Sequence, residues 1–568
     1  MNIFNKSGFF WEVVGSAIFW YPYIMSIIWM AGALIFSHYR EKEEDIDLDK
    51  YEWPKISIIL PCYNESETAE ETIKKLASLS YPGYEIIAVN DGSSDNTGKI
   101  LEELALKYDN LRVINCLENK GKANALHMAA HAARYEYLIC IDSDAILDDM
   151  APYYLVRQFL ENGERVGAVT GNPRIRNRDT LISKLQLVEY ASIIGLIKRT
   201  QRILGKVMTV SGVIVAYRKK ALMSVELWDR DIITEDIAVS WKLQRKFWDI
   251  RYEPRALCWM LVPETISGLW NQRVRWAQGG QEIIFRHGGI FKDWRQRRLW
   301  PIYIEQVFSI LWSISWITFS AVIIFTAEYR QDILMFFSFS AFALSMLSFI
   351  QLFISMKHES VYDNIMKYYI WAAWYPIFYW IINAFVVVRA LPKSIMSTIR
   401  GGYATWKSPD RGTIDNDEEV EISKEENTVY TVKSKQKIVR KVAAMLVNVF
   451  MSFYMFVVVY LFIGGCLGYN DSFIGVVKSA MKITNDDIRY LSLTTIKYFA
   501  LSFVILFVWR FYNLKRYGKL NRRKAPNNTT KEEMLSLNLV NSEVYDLLQG
   551  EKVVKFKNNP IRELGNVR

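Results

Sequence analysis

Six stretches of this chain are almost wholly apolar and aromatic: residues 13–37, 303–326, 333–354, 368–391, 442–467 and 494–512. Each approaches the roughly 20 residues that carry an α-helix across a bilayer. Between the first and second lies a stretch of a different kind, where short apolar runs end at polar residues and alternate with amphipathic segments. Residues 56–60, 85–89, 111–115 and 137–142 read as strands, and 69–79 and 98–108 as helices packed on them. Such alternation over residues 56 to about 259 predicts an α/β domain with a parallel sheet, whose ligands sit beyond the carboxyl ends of its strands. Residues 415–427 are acidic, have no apolar period and read as a flexible linker.

Charge at the ends of the apolar segments orients them. His38, Tyr39 and Arg40 follow the first segment and few charges precede it, which puts residues 41–300 on the cytoplasmic side. Arg389, Lys393, Arg400, Lys407 and Arg411, then Lys433, Lys435, Lys437, Arg440 and Lys441, put the next linker inside as well, and Arg510, Lys515, Arg516 and Lys519 do so for the C-terminal tail. Three crossings cannot join an inside domain to an inside linker. Pro376 interrupts segment 368–391, so that segment is the expected re-entrant or interfacial element, leaving about five true crossings. The first segment lacks a small-residue cleavage site and reads as an anchor. The expected order is an anchor (1–40), a cytoplasmic α/β domain (41–265), interfacial helices (266–300) and membrane segments (301–400). A linker (401–437), a further helix pair (438–514) and a tail (515–568) follow.

The 568 residues carry 70 Lys and Arg against 60 Asp and Glu, a net charge of +10. The excess gathers beside the apolar segments, where it faces anionic headgroups, so it speaks for membrane topology and not for nucleic acid. The five cysteines form no CxxC pair, and the five histidines no ligand cluster, so neither zinc nor a disulfide framework is suggested.

Polar motifs cluster at the predicted strand ends. Pro61-Cys62-Tyr63-Asn64-Glu65 and Asn90-Asp91-Gly92-Ser93-Ser94-Asp95 close two successive strands and suit a nucleoside floor, with Tyr63 against a base and Asp91 accepting from its N–H; a plain turn is the other reading of the second string. Asp142-Ser143-Asp144 ends another strand and offers paired carboxylates for a divalent cation, Mg or Mn, that neutralises a departing diphosphate. Lys122 adds positive charge near the same phosphates or is a solvated helix-start lysine. Thr234-Glu235-Asp236 supplies a general base, Asp236, for single displacement, or an N-cap with acids in its first turn; both can hold, since a helix N-terminus favours an ionised Asp236. Gln272-Arg273-Val274-Arg275-Trp276, on a Trp-rich amphipathic run, offers Arg275 to a diphosphate and Trp276 to an acceptor sugar, or simply anchors an interfacial helix.

In this order, over residues 50–290, the motifs resemble those of the processive, inverting glycosyltransferases of the GT-A fold, the group of the cellulose, chitin and hyaluronan synthases. Tyr21-Pro22-Tyr23-Ile24-Met25-Ser26-Ile27-Ile28-Trp29, Arg275-Trp276-Ala277-Gln278-Gly279-Gly280 and Trp406-Lys407-Ser408-Pro409-Asp410-Arg411-Gly412 are similar to strings in the catalytic subunits of bacterial poly-N-acetylglucosamine synthases. The resemblance implies a Rossmann-like GT-A domain inserted in an α-helical protein of the bacterial inner membrane, with its catalytic domain and C-terminus cytoplasmic. It implies a UDP-N-acetylglucosamine donor, a growing polysaccharide acceptor bound near Glu235 and Trp276, and export through a membrane channel to which Glu305 and Gln306 are candidates. By the same resemblance Asp91 meets the nucleoside, Asp142 and Asp144 the diphosphate and metal, and Gln272, Arg275 and Trp276 the diphosphate and acceptor, while Asp236 is the base. In some bacteria such synthases are activated by cyclic diguanylate. Trp509-Arg510-Phe511-Tyr512-Asn513 and Val544-Tyr545-Asp546-Leu547-Leu548-Gln549 are similar to the small two-helix accessory subunit of the same synthases, which implies a natural fusion. Another β-glycan, a lipid-phosphate acceptor and an inactive scaffold are the alternatives.

Overall fold

The computed structural model describes residues 8–41, 46–325, 330–404, 438–517 and 527–563. The string Trp406 to Gly412 and the acidic linker lie outside them. One nine-stranded sheet organises the soluble part: β1 (Ile56–Cys62), β2 (Tyr84–Asp91), β3 (Leu111–Cys116), β4 (Tyr137–Ile141), β5 (Ile146–Leu147), β6 (Val166–Ile175), β7 (Ile214–Arg218), β8 (Asp249–Met260) and β9 (Val553–Phe556), in the order 5-8-6-7-4-1-2-3-9. Strands β4, β1, β2, β3 and β9 run parallel, with Ile56 paired to both Tyr84 and Tyr137. The wholly parallel sheet expected from the sequence is corrected at β7, which runs antiparallel to both β4 and β6, and at β5, antiparallel to β8. The sheet is therefore mixed, as in GT-A domains.

Alternation along β1 explains the two layers of helix. Ile56, Ile58 and Leu60 face the helices Ala69–Ala77 and Thr97–Lys107, whereas Ile59 faces Leu126 and Ala129 of the helix Lys122–Ala132. Both faces are covered, so the central strands are continuous apolar runs and not half-polar ones. Their carboxyl ends point one way, and the polar motifs collect there.

Among the described residues six helices are long and apolar enough to cross a membrane: Val13–Arg40, Trp300–Val322, Phe337–Glu359, Met366–Arg400, Lys441–Leu467 and Asn485–Arg516. They follow the six apolar stretches of the sequence. The fourth is irregular, a 3-10 stretch Met366–Trp374 and a π turn Tyr375–Tyr379 around Pro376 before the α-helix Trp380–Arg400. The proline lacks the N–H that a regular ladder needs there. The α/β domain is tied to the helices by buried ion pairs. Glu359 meets Arg174 at 2.8 Å and also Arg199, which pairs with Glu41 at 2.6 Å, while Asp363 meets Arg178. Removing one partner of such a pair leaves an uncompensated buried charge, a cost of about 3–5 kcal/mol.

Candidate active site

The cleft is built around one lysine. Gly121 adopts φ +94°, a conformation open to glycine, and starts the helix Lys122–Ala132 so that Lys122 is its first residue. Its ammonium reaches across the strand ends to Asp142 Oδ1 at 2.7 Å and Glu235 Oε1 at 3.1 Å and donates to the Gly212 carbonyl at 3.4 Å. Burial opposes its charge, but the carboxylates of Asp142, Glu235 and Asp236 outweigh that and hold it protonated well above the usual lysine range. The solvated helix-start reading is thus overturned: its side chain is 15% exposed.

Asp236 sits beside this pair, in a narrow cleft that Pro61, Lys122, Cys140, Gly212, Tyr217 and Glu235 also line. A Cβ at Gly212 would lie 3.3 Å from Asp236 Oδ2 and 3.5 Å from Lys122 Nζ, so both side chains pack closely over this glycine. Desolvation and the neighbouring Glu235 push the Asp236 carboxyl up to about 6, against the pull of Lys122, the Ile237 N–H at 2.9 Å and Arg275. The helix N-terminus expected to keep it ionised is outweighed. Nor does Thr234 cap that helix: its hydroxyl makes no cap bond and is buried without a partner among the described residues. Thr234 instead presses on Gly279, where a Cβ would stand 1.8 Å from its Oγ1. Gly279, just after the Gln-Arg-Trp string, is therefore the seat on which the loop before Asp236 rests.

Asp91 closes β2 and accepts the backbone N–H groups of Lys120 at 3.2 Å and Gly121 at 2.8 Å. Burial nevertheless raises its carboxyl to about 7. Glu65 is buried under the first helix and accepts from Thr68 Oγ1 at 2.8 Å, which makes it a turn-forming residue as well as a floor candidate. Asn64, next to the half-buried Tyr63, bonds the Ser93 and Ser94 loop, joining the two strand-end motifs as the sequence suggested. Asp144 is buried just beyond Asp142, whose side chain stays 28% exposed toward the cleft.

The helix Ile266–His287 brings the last motif. Gln272 is buried with its Oε1 unpartnered among the described residues, and Arg275 is half-buried, makes no salt bridge among them and favours ionised Asp236. Arg273, not singled out by the sequence, pairs with the buried Glu189 and lies 4.1 Å from the centroid of the Trp276 ring, covering that ring with a cation. Glu189 also accepts from Tyr379. These partners are 84 and 190 residues apart, a separation that leaves no local pattern to read. Lys198 is a second missed group. It is buried, donates to Thr170 Oγ1 at 3.3 Å, and is lowered to about 8 by burial against the attraction of Asp236. Gln306 packs 3.3 Å from the Gly280 Cβ position, against the motif helix, while the Glu305 carbonyl accepts from Tyr21 of the first membrane helix.

Among the described residues no three His, Cys, Asp or Glu side chains converge as a ready metal cage. The two carboxylates of Asp142 and Asp144, all-oxygen and beside a lysine, still suit a hard cation completed by phosphate oxygens and water.

Comparison with known proteins gives a consistent picture. Residues 54–279 match the family described as "Glycosyltransferase like family 2". The "Poly-beta-1,6-N-acetyl-D-glucosamine synthase" of Staphylococcus epidermidis is 45% identical over 408 residues, covering 70% of this chain and 98% of the relative. That of Staphylococcus aureus strain COL is 45% identical over 410 residues with the same coverage. A mannosyltransferase from Pyrobaculum calidifontis, solved with GDP-Man and Mn2+, aligns with 67% of this chain and 99% of its own at 16% identity and a TM-score of 0.46.

Proposed function

We propose that this chain, which belongs to the family of poly-β-1,6-N-acetyl-D-glucosamine synthases among the family 2 glycosyltransferases, transfers N-acetylglucosamine from UDP-N-acetylglucosamine to the non-reducing end of a β-linked chain through its 6-hydroxyl and exports the polymer. The observation that carries this reading is Lys122 clamped between Asp142 and Glu235, with Asp236 beside them in one cleft. In the proposed reaction the acceptor oxygen attacks the anomeric carbon, the bond to the diphosphate breaks, UDP departs and Asp236 takes the hydroxyl proton. A carboxyl set near 6 is ionised at neutral pH yet basic enough to accept that proton. Asp91 and Tyr63 hold the nucleoside, Lys122 and Arg275 meet the diphosphate, and Trp276 carries the acceptor sugar. Asp142 and Asp144 hold a divalent cation, Mg or Mn, which neutralises the leaving diphosphate when bound.

The same reading extends to the membrane. The helix Trp380–Arg400 lies along the motif helix, with Gln281 Nε2 donating to the Val387 carbonyl at 2.8 Å and Ser394 Oγ to Gln281 Oε1 at 2.8 Å. This supports an interfacial role for it, hence five crossings and a cytoplasmic catalytic domain. The pair Ile438–Leu467 and Asn485–Tyr517 packs on the rest, with Ser345 hydrogen-bonded to Tyr454 at 2.7 Å and Arg510 lying 3.7 Å from the Tyr39 ring centroid. That packing supports the fusion of a synthase with its accessory helices. At the foot of Asn485–Tyr517 is a cavity of about 760 Å³ lined by Arg40, Arg202, Lys206, Arg251, Arg298 and Arg510. Burial, and repulsion from the surrounding arginines against the attraction of Asp249, lower Lys206 to about 8. This excess of positive charge suits the two phosphates of cyclic diguanylate as an activator.

The test is product analysis with labelled donors. UDP-N-acetylglucosamine alone should yield a polymer made only of that sugar. A requirement for UDP-glucuronate or UDP-glucose, or a butanol-extractable product, would sink the assignment.

A further inference from the structure

Residues 527–563 are bound to the catalytic domain from its sheet edge to the turn beside the cleft. Strand β9 pairs with β3 from Val113–Val553 to Cys116–Phe556. The helix Ser542–Gly550 lies on the helix that Lys122 begins, where Gln549 Nε2 donates to the His131 carbonyl at 2.6 Å. Met534, Val540, Leu548 and Ile561 are buried in the same core as Leu126 and Ala129. Past the strand, Asn559 and the fully buried Asn124 exchange amide hydrogen bonds of 3.4 and 3.2 Å, and the Ile561 N–H donates to Asn559 Oδ1 at 3.2 Å. Asn124 lies in the first turn of that helix, two residues after Lys122.

The segment then reaches the nucleoside side. Glu563 comes within 3.6 Å of Lys120 Nζ, and the Lys120 backbone N–H is one of the two that hold Asp91. Tyr403 OH donates to Glu563 Oε2 at 2.5 Å, its ring lies 5.3 Å from the Lys120 ammonium, and the Ala404 N–H donates to the Arg230 carbonyl at 2.9 Å. Two distant parts of the chain thus meet on the turn 118–124.

We propose that Asn559, aided by Glu563 and Tyr403, is a positioning residue for the donor site: it fixes the turn that presents Lys122 and braces Asp91, and so gives the C-terminal helix pair a covalent handle on nucleotide binding. Among the described residues Asn559 bonds Asn124 and Ile561 and neither Asp236 nor the acceptor motif. At a pH well above the acid limb of Asp236 its loss therefore weakens binding common to ground and transition states, which appears in KM and spares kcat. This rests on the donor roles proposed above for Asp91 and Lys122.

The experiment measures UDP release against donor concentration for the purified full-length chain, its Asn559→Ala and Asn559→Asp variants, with thermal midpoints. Loss of a reciprocal pair of neutral hydrogen bonds is expected to raise the donor KM about fivefold with kcat within twofold. Asn559→Asp keeps the acceptor for Asn124 and Ile561 but sets a carboxylate oxygen against Asn124 Oδ1, and should raise the donor KM at least as far as Asn559→Ala. An unchanged KM in Asn559→Ala, or a fall in kcat that tracks a lowered midpoint, overturns the proposal. A wild-type chain inert toward UDP-N-acetylglucosamine would sink the donor assignment itself, whereas a working wild type with an indifferent Asn559→Ala sinks only the positioning role.

Discussion

Replacing Lys122 by methionine removes the cation and keeps most of the volume that fills the cleft. Lys122 Nζ and Asp236 Oδ2 both lie within 3.5 Å of the point where a Gly212 Cβ would stand, and the two carboxylates that Lys122 pairs with are at 2.7 and 3.1 Å. For charges about 6 Å apart at an effective dielectric of about 20, the lost attraction is about 3 kcal/mol. At about 1.4 kcal/mol per pKa unit this raises Asp236 by about 2 units, and by about 1 where water fills the vacated space. The sign follows from the base's role: Asp236 works ionised, so activity is present above its pKa of about 6 and lost as pH falls through it. Lys122→Met therefore moves the acid limb of kcat from near pH 6 to between about 7 and 8, with a rise in donor KM from the lost phosphate contact. The assay is UDP release at saturating donor and metal across pH 5 to 9, roughly the range in which the two limbs separate. An acid limb that stays in place or moves down would refute the electrostatic account of this cleft.

Other consequences are as direct. Gly279→Ala drives a methyl into Thr234, an overpacking of about 1–3 kcal/mol that should lower the thermal midpoint and cut kcat at least about tenfold; full activity would show that the loop is not seated there. Asp144→Asn should raise the Mn2+ concentration needed for half-maximal UDP release by about tenfold or more, and an unchanged metal titration removes Asp144 from the metal site. Arg510→Ala leaves basal turnover in place and weakens activation by cyclic diguanylate about tenfold, read from the activation curve; equal activation would empty the basic cavity of that role.

The legible part of this fold is the part written in local pattern. Strands β1 to β4 are runs of apolar residues between turn formers, and both helices on one face follow their amphipathic period. Lys122, Asp142, Asp236 and Pro61 were each visible from their place at strand or helix ends; Pro61, Lys122 and Asp236 line one cleft, and Asp142 pairs with its lysine. What stayed hidden depends on partners far along the chain. Four residues, Val553 to Phe556, carry no sign that they pair with a strand some 440 positions earlier, beside which Arg112 also bonds the Leu548 carbonyl. The same holds for the seat of Thr234 on Gly279. The rise of Asp236 could not be read either, because a helix start favours the charged form and only its burial in the folded cleft, to which the adjacent Glu235 adds, decides otherwise.

The central claim is that one cleft holds both the departing nucleotide and the base. Asp236→Asn in the purified chain, with UDP-N-acetylglucosamine as the sole donor, tests it most directly. The account predicts UDP release slowed by about a hundredfold or more, with donor KM near the wild-type value, because only the proton acceptor is lost. A rate of UDP release equal to the wild type would contradict it.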